Sequence, residues 1–171
     1  DAVEHEIEVI EKAESDFVSF RDIKIRTYEW GSGSKKVLFV HGWEGQAGNF
    51  AEFVDEFVRN DYTVFSFDGP SHGFSSKGRT SLFEFSDVVA EMIRRFEVKK
   101  LVSHSFGSVA ATSALASNQD IEIDRYVLLT TPDRFLDRID DVVKSVGVSQ
   151  RVATHLVRRI EREASVVAGE L

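Results

Sequence analysis

The chain has 171 residues, enough for one domain with a sizeable core, and its 42% hydrophobic and 29% charged residues are ordinary for a globular protein. The net charge of −8 argues against a nucleic-acid partner, and the absence of cysteine excludes disulfides, thiolate catalysis and cysteine-based zinc sites. The sequence has no apolar run of membrane-spanning length and no signal-peptide pattern, so we expect a cytoplasmic protein without a membrane span.

The first sixty residues combine β-like and helical patterns. Polar and apolar residues alternate over residues 6–10 and again over 17–28, which predicts two β-like stretches. A turn is predicted at residues 31–34, and the continuous apolar run at 37–40 is typical of a strand buried on both faces. The apolar spacing over 49–59 predicts a helix.

Predicted strands and helices alternate through the rest of the chain. The strands are residues 62–67, 98–102 and 126–129, the helices are 82–96 and 106–117, and residues 134–164 are helical by pattern. This alternation predicts an α/β fold with a mostly parallel sheet and right-handed crossovers.

Unusual residues follow three of the predicted strands. His41-Gly42-Trp43 follows one strand, Asp68-Gly69-Pro70 the next, and Ser105 lies where LVSHSFGSVAA (101–111) turns from strand to helix. The last stretch nearly matches G-x-S-x-G, the sharp corner that presents a nucleophilic serine, with Ser103 in place of the first glycine. Because carboxyl ends of parallel strands meet at one edge, we expect these residues to form one site.

Four stretches, in this order, resemble the landmarks of the α/β-hydrolase family: VLFVHGW (37–43), VFSFDGPSHGFSS (64–76), LVSHSFGSVAA (101–111) and RYVLLTTPD (125–133). The resemblance covers roughly residues 17–133. It implies a three-layer α/β/α fold with α/β-hydrolase topology whose final two strands are missing. Residues 1–133 would form the hydrolase core, and residues 134–171 a helical segment like the cap of many such enzymes.

The resemblance implies a role for each residue of the corner. Ser105 would be the nucleophile, and the backbone N–H groups of Trp43 and Phe106 would form the oxyanion hole. Small neighbours are needed where this turn is crowded, which Gly107 satisfies and Ser103 tolerates. The alternative for Ser105 is a turn-and-cap serine without chemistry.

Several other residues carry two interpretations. His41, Gly42, His104 and Gly107 are expected to shape the loops or line the site; for His41 the alternative is a catalytic base. Asp68 is expected to cap backbone N–H groups, and His72 to be a solvated loop histidine. For Trp43 and Phe74, pocket lining and simple loop packing both stay open.

The base and the acid of a triad are harder to find. His155, the one histidine after Ser105, lies on an amphipathic helical pattern, where a surface or interface role is favoured over a base. Asp133 is a candidate acid, or else the N-cap of the following helix. We therefore expect the catalytic histidine to lie outside this chain, which begins with Asp1 rather than methionine and is expected to belong to a longer protein.

The predicted function is hydrolysis of a small-molecule ester or similar acyl substrate by a serine hydrolase, with this chain inactive by itself. The alternatives are a non-catalytic α/β-hydrolase-like binding or scaffold protein, and another chemistry on the same fold, such as C–C bond or thioester hydrolysis. Nothing in the sequence indicates a metal or an organic cofactor. Without later strands, residues 126–131 would form a bare sheet edge, which we expect to pair with another segment or chain.

Overall fold

Six strands form one sheet whose edge carries the candidate site. In the computed structural model, which describes residues 2–130 and Thr154, the sheet order is β1-β2-β4-β3-β5-β6. The first two strands pair antiparallel, β2 pairs antiparallel with β4, and the other pairs are parallel, which confirms the predicted mostly parallel sheet. The strands are β1 (Glu14–Phe20), β2 (Ile23–Trp30), β3 (Lys35–Val40), β4 (Tyr62–Phe67), β5 (Lys100–His104) and β6 (Arg125–Leu129).

The first described helix precedes the first strand, the others connect strands, and together they cover both faces of the sheet. They are α1 (Ala2–Glu11), α2 (Ala51–Arg59), which follows a 3-10 turn at Ala47–Phe50, α3 (Leu82–Phe96) and α4 (Phe106–Ser117). Ser81 caps the N-terminus of α3: its hydroxyl accepts the Glu84 N–H at 3.2 Å and so satisfies one of the first N–H groups of the helix.

Strand β3 shows why the fold has three layers. Leu38 and Val40 pack with residues of α3 and α4, whereas Val37 and Phe39 pack on the other face with Val9 of α1 and residues of α2. Alternate residues of a strand point to opposite faces, so a continuous apolar run requires a helical layer on each side. The predicted α/β/α arrangement of the core follows from this alternation.

The prediction of a strand at residues 6–10 is wrong, because these residues belong to α1. Five residues are too few to separate a period of 2 from a period of 3.6, and four of the ten residues of AVEHEIEVIE are glutamate, a good helix former. Val9 is fully buried, and its carbonyl accepts the indole N–H of Trp30 at 2.7 Å. A tertiary contact with β2 therefore holds this helix in place.

Strand β6 lies at one edge of the sheet. Among the described residues its one strand partner is β5, and its Val127 and Leu128 side chains are 49% and 46% exposed. The pairing of this edge with another segment stays a prediction. The chain divides into two units, residues 1–131 and 132–171, and the predicted helical segment at 134–164 lies outside the described residues apart from Thr154. None of the helices within the described part of the chain is long and apolar enough to cross a bilayer.

Candidate active site

Ser105 occupies a strained corner between β5 and α4. Its backbone has φ 51° and ψ −123°, a left-handed region that costs a residue with a side chain about 1–3 kcal/mol. The Ser105 N–H donates to the Leu129 carbonyl at 2.9 Å, and the Ser105 carbonyl accepts the Ser108 N–H at 2.9 Å. Both backbone groups of Ser105 are therefore held, and the surrounding structure maintains the strain.

Two glycines allow the loop after β3 to approach this corner. A Cβ atom on Gly107 would lie 2.6 Å from the Val40 carbonyl oxygen and closer still to that of His41. A Cβ atom on Gly42 would lie 3.2 Å from the Ser105 Cβ. Glycine at both positions lets backbone pass backbone where a side chain would separate them.

Ser103, which replaces the first glycine of the motif, fits because its hydroxyl has partners. It is fully buried, with its Oγ 2.8 Å from the Ser108 Oγ and 3.0 Å from the Tyr126 hydroxyl oxygen. A buried hydroxyl without partners would destabilise the corner, whereas this one is satisfied. The sequence carries no signal for the contribution of Tyr126, because the contact crosses from β5 to β6.

His41 joins two loops and has no free ring nitrogen. Its Nδ1–H donates to the Gly42 carbonyl at 2.7 Å, and its Nε2 accepts the Gly69 N–H at 2.8 Å. Complete burial of the ring lowers the pKa of His41 to about 4, so the imidazole is neutral at pH 7. This geometry supports the loop-shaping interpretation and disfavours a role as the base.

Asp68 organises the loops after β3 and β4, as the capping prediction requires. Its buried carboxylate accepts the Ala47 N–H at 2.9 Å, the Phe74 N–H at 2.8 Å and the Tyr28 hydroxyl at 2.9 Å. Burial of the phenol and the nearby Asp68 carboxylate raise the pKa of Tyr28. The Asp68 carboxylate thus links β2, the loop after β3 that carries Trp43, and the loop after β4.

The prediction that His72 is solvated is wrong. The residue is buried, its Nδ1–H donates to the Pro70 carbonyl at 2.8 Å, and its ring lies 5.1 Å edge-on from that of Trp43. The loop folds back on itself, with the Ser71 N–H donating to the Ser76 carbonyl. Composition indicates a loop, but only this closure determines that the ring is covered.

A cavity of about 610 Å³ opens beside Ser105. Its lining comprises the loop after β3, the start of α2 and the ends of β5 and β6: Gly42, Trp43, Glu44, Gly45, Asn49, Phe50, Phe53, His104, Ser105, Leu129 and Thr130. Trp43 and His104 line this cavity, whereas Phe74 is 70% exposed and does not. The sequence analysis placed Phe50 and Phe53 on a helix but missed that they face the site.

The oxyanion hole expected from the backbone N–H groups of Trp43 and Phe106 stays a prediction. The Phe106 N–H is the first of α4, and the first N–H groups of a helix have no carbonyl partner within it. Trp43 lies in a turn that is closed by a hydrogen bond from the Gly45 N–H to the Gly42 carbonyl at 3.1 Å. The Trp43 N–H takes no part in that bond. The positive end of the α4 dipole would favour negative charge here.

Within residues 2–130 no imidazole hydrogen-bonds the Ser105 hydroxyl, and no group of three His, Asp or Glu side chains is placed to hold a metal ion. His5 lies on α1, where its Nε2 is 3.7 Å from a Glu52 carboxylate oxygen. The candidate acid Asp133 and the remaining histidine, His155, lie outside the described residues.

Comparison with known proteins agrees with the fold. Residues 35–153 match the family model of the alpha/beta hydrolase fold. The chain belongs to this family. It is 32% identical over 129 residues to the dihydrolipoyllysine-residue acetyltransferase component of an acetoin cleaving system from Cupriavidus necator. The matched region covers 72% of this chain and 33% of the relative. It is 29% identical over 134 residues to the probable lysophospholipase BODYGUARD 4 of Arabidopsis thaliana, spanning 74% of this chain and 31% of the relative.

Solved structures share the same hydrolase fold. An epoxide hydrolase from Vigna radiata superposes with a TM-score of 0.64 at 21% identity, covering 72% of this chain and 42% of the enzyme. The thioesterase domain from the curacin biosynthetic pathway superposes with a TM-score of 0.64 at 23% identity, covering 77% of this chain and 51% of the domain. The chain thus spans about a third of the curated relatives and about half, or somewhat less, of these two structures.

Proposed function

We propose that this hydrolase-fold chain carries the nucleophile of a serine hydrolase, Ser105, which acts on an ester or similar small acyl substrate. One observation carries the proposal: Ser105 is held in a strained conformation at the start of α4 and lines a cavity of about 610 Å³. Backbone strain of this kind clusters at active sites, where the surrounding structure maintains it.

The geometry supports a two-step acyl transfer. The Ser105 Oγ would attack the carbonyl carbon of the substrate while its proton passes to a histidine base, and the Trp43 and Phe106 N–H groups would stabilise the resulting oxyanion. Collapse of this intermediate would expel the leaving group with that proton and leave an acyl-enzyme. Water would then release the acid and restore the serine.

We propose further that the histidine base lies outside this chain. The ring nitrogens of His41 both have partners, and His72 uses its Nδ1 within its own loop. His104 directly precedes Ser105 at the end of β5, where a neighbour in the chain is poorly oriented to deprotonate the serine. A relative that shares 29% identity is named as a probable lysophospholipase, which supports an acyl ester as the substrate class.

The test is ester hydrolysis by the complete gene product that carries this chain. Short-chain p-nitrophenyl esters are offered to the parent protein, to Ser105→Ala and to Ser117→Ala, which makes the same substitution at the exposed far end of α4. We expect Ser105→Ala to lose about 1,000-fold or more in kcat and Ser117→Ala to match the parent. Equal rates in the two variants contradict the proposal.

A non-catalytic binding protein is the second candidate, and it is favoured because no imidazole within residues 2–130 hydrogen-bonds the Ser105 hydroxyl. A fluorophosphonate probe separates the two functions, since it reacts with an activated serine and not with an ordinary hydroxyl. A single adduct on Ser105, found by mass spectrometry, supports the hydrolase. Ligand binding without an adduct or turnover supports the binding protein.

A further inference from the structure

Three hydroxyl groups meet beneath the Ser105 corner, each from a different element. Ser103 lies on β5, Ser108 in the first turn of α4 and Tyr126 on β6. The Ser103 Oγ is 2.8 Å from the Ser108 Oγ and 3.0 Å from the Tyr126 hydroxyl oxygen, which is in turn 3.1 Å from the Ser108 carbonyl oxygen. Ser103 and Ser108 are fully buried. We call these three side chains the hydroxyl cluster.

One arrangement of protons satisfies every member of the hydroxyl cluster. In this arrangement the Ser108 hydroxyl would donate to the Ser103 Oγ, the Ser103 hydroxyl to the Tyr126 oxygen, and the Tyr126 hydroxyl to the Ser108 carbonyl. Each hydroxyl has one proton to donate, so this direction uses all three and ends on the backbone of α4. Linked hydroxyls polarise one another, so the loss of one weakens the others.

The cluster adds a second connection between β6 and the backbone of Ser105. The first is the direct bond from the Ser105 N–H to the Leu129 carbonyl. The second runs from Tyr126 to the carbonyl of Ser108, whose own N–H donates to the Ser105 carbonyl at 2.9 Å. The same strand therefore acts on both backbone groups of Ser105.

We propose that Tyr126 is a positioning residue that acts through Ser103 and Ser108 to hold the Ser105 corner in its strained conformation. The role of Ser105 as nucleophile rests on the proposed function. The serine in place of the first glycine of the motif is then a functional part of the corner, because its Oγ is the shared partner of the other two hydroxyls.

The absence of cysteine from the sequence makes a clean test possible. Ser105→Cys in the full 171-residue chain places a single thiol at the corner, and the pH dependence of its alkylation by iodoacetamide gives the thiol pKa. A thiol at a helix N-terminus has a pKa below the ordinary value of about 8.5, and this lowering depends on its position. The measurement needs no ester turnover, so a failure of the proposed function leaves its outcome readable.

We expect Tyr126→Phe in this background to raise the thiol pKa and to slow alkylation at pH 7 by about 2- to 10-fold, the range that one lost hydrogen bond would produce. Ser103→Gly should act in the same direction, and the double variant should add little to either single change, because both interrupt one cluster. Tyr62→Phe is the matched control, since Tyr62 begins β4 and packs edge-on against Phe57. It should leave the thiol unchanged.

Circular dichroism establishes that each variant is folded before its thiol is measured. A Tyr126→Phe chain with the same thiol pKa and rate as the Tyr62→Phe chain overturns the proposal. If Tyr126→Phe does not fold, Ser103→Gly decides the matter alone, and an unchanged thiol in that variant overturns the proposal equally.

Discussion

Replacing Gly107 with alanine tests whether close backbone approach holds the Ser105 corner against the loop after β3. The added Cβ would lie 2.6 Å from the Val40 carbonyl oxygen and 2.8 Å from the His41 carbonyl carbon. The His41 carbonyl oxygen would lie closer still. Ordinary contacts between such atoms need about 3.5 Å, so the two segments must separate by about 1 Å or more. Both neighbours are backbone atoms, which cannot move aside by rotating a side chain.

The expected cost is about 3 kcal/mol or more, at the upper end of what overpacking a well-packed interior produces. That cost would reduce the ratio of folded to unfolded chain by about 100-fold, since each 1.4 kcal/mol is a factor of ten. With a urea dependence of about 2 kcal/mol per molar, the unfolding midpoint should fall by about 1.5 M. Urea titrations followed by circular dichroism measure this shift directly.

Gly78→Ala is the control, because a Cβ at that position meets no atom within 4 Å. It should change the free energy of unfolding by less than about 1 kcal/mol, through the entropy of the unfolded chain. If Gly107→Ala unfolds at the same urea concentration as Gly78→Ala, the corner is not crowded and the explanation of the glycine is refuted.

Two further predictions concern the buried polar groups. The folded chain lowers the pKa of His41 to about 4 from an ordinary value of about 6.5, so the unfolded chain binds a proton first as the pH falls. About 3 kcal/mol of stability should therefore be present above pH 6.5 and be lost between pH 6.5 and 4, which urea titrations at stepped pH measure. Asp68→Asn should cost about 2–3 kcal/mol at pH 7, because the Tyr28 hydroxyl and two backbone N–H groups lose a charged acceptor.

Each of these has its own control. His5→Gln should keep the loss of stability at low pH, whereas His41→Gln should reduce it, and identical pH profiles would count against the assignment. Asp55→Asn alters an exposed carboxylate on α2 and should leave the unfolding midpoint where it was. An Asp68→Asn chain as stable as Asp55→Asn would mean that the loops do not depend on that charge.

Prediction from the sequence succeeded where an apolar repeat extends over a whole element, or where a short motif marks a turn from strand to helix. The helix predicted at 82–96 is α3, and the strand predicted at 62–67 is β4, because each repeats its apolar spacing over its full length. It failed at residues 6–10, where five positions were compatible with either period. It also failed at His72, since exposure of a loop residue depends on how the loop closes.

By itself the sequence determined the family, the order of the elements after α1 and the serine at the corner, because these depend on local spacing and on residues adjacent in the chain. Only the tertiary structure decided which partners those residues acquire. The hydrogen bond between His41 and Gly69, two of the three donors to Asp68 and the link from Tyr126 to Ser108 each join residues 18 to 40 positions apart. Such contacts are set by the packing of strands and loops, and the spacing of neighbouring residues carries no information about that packing.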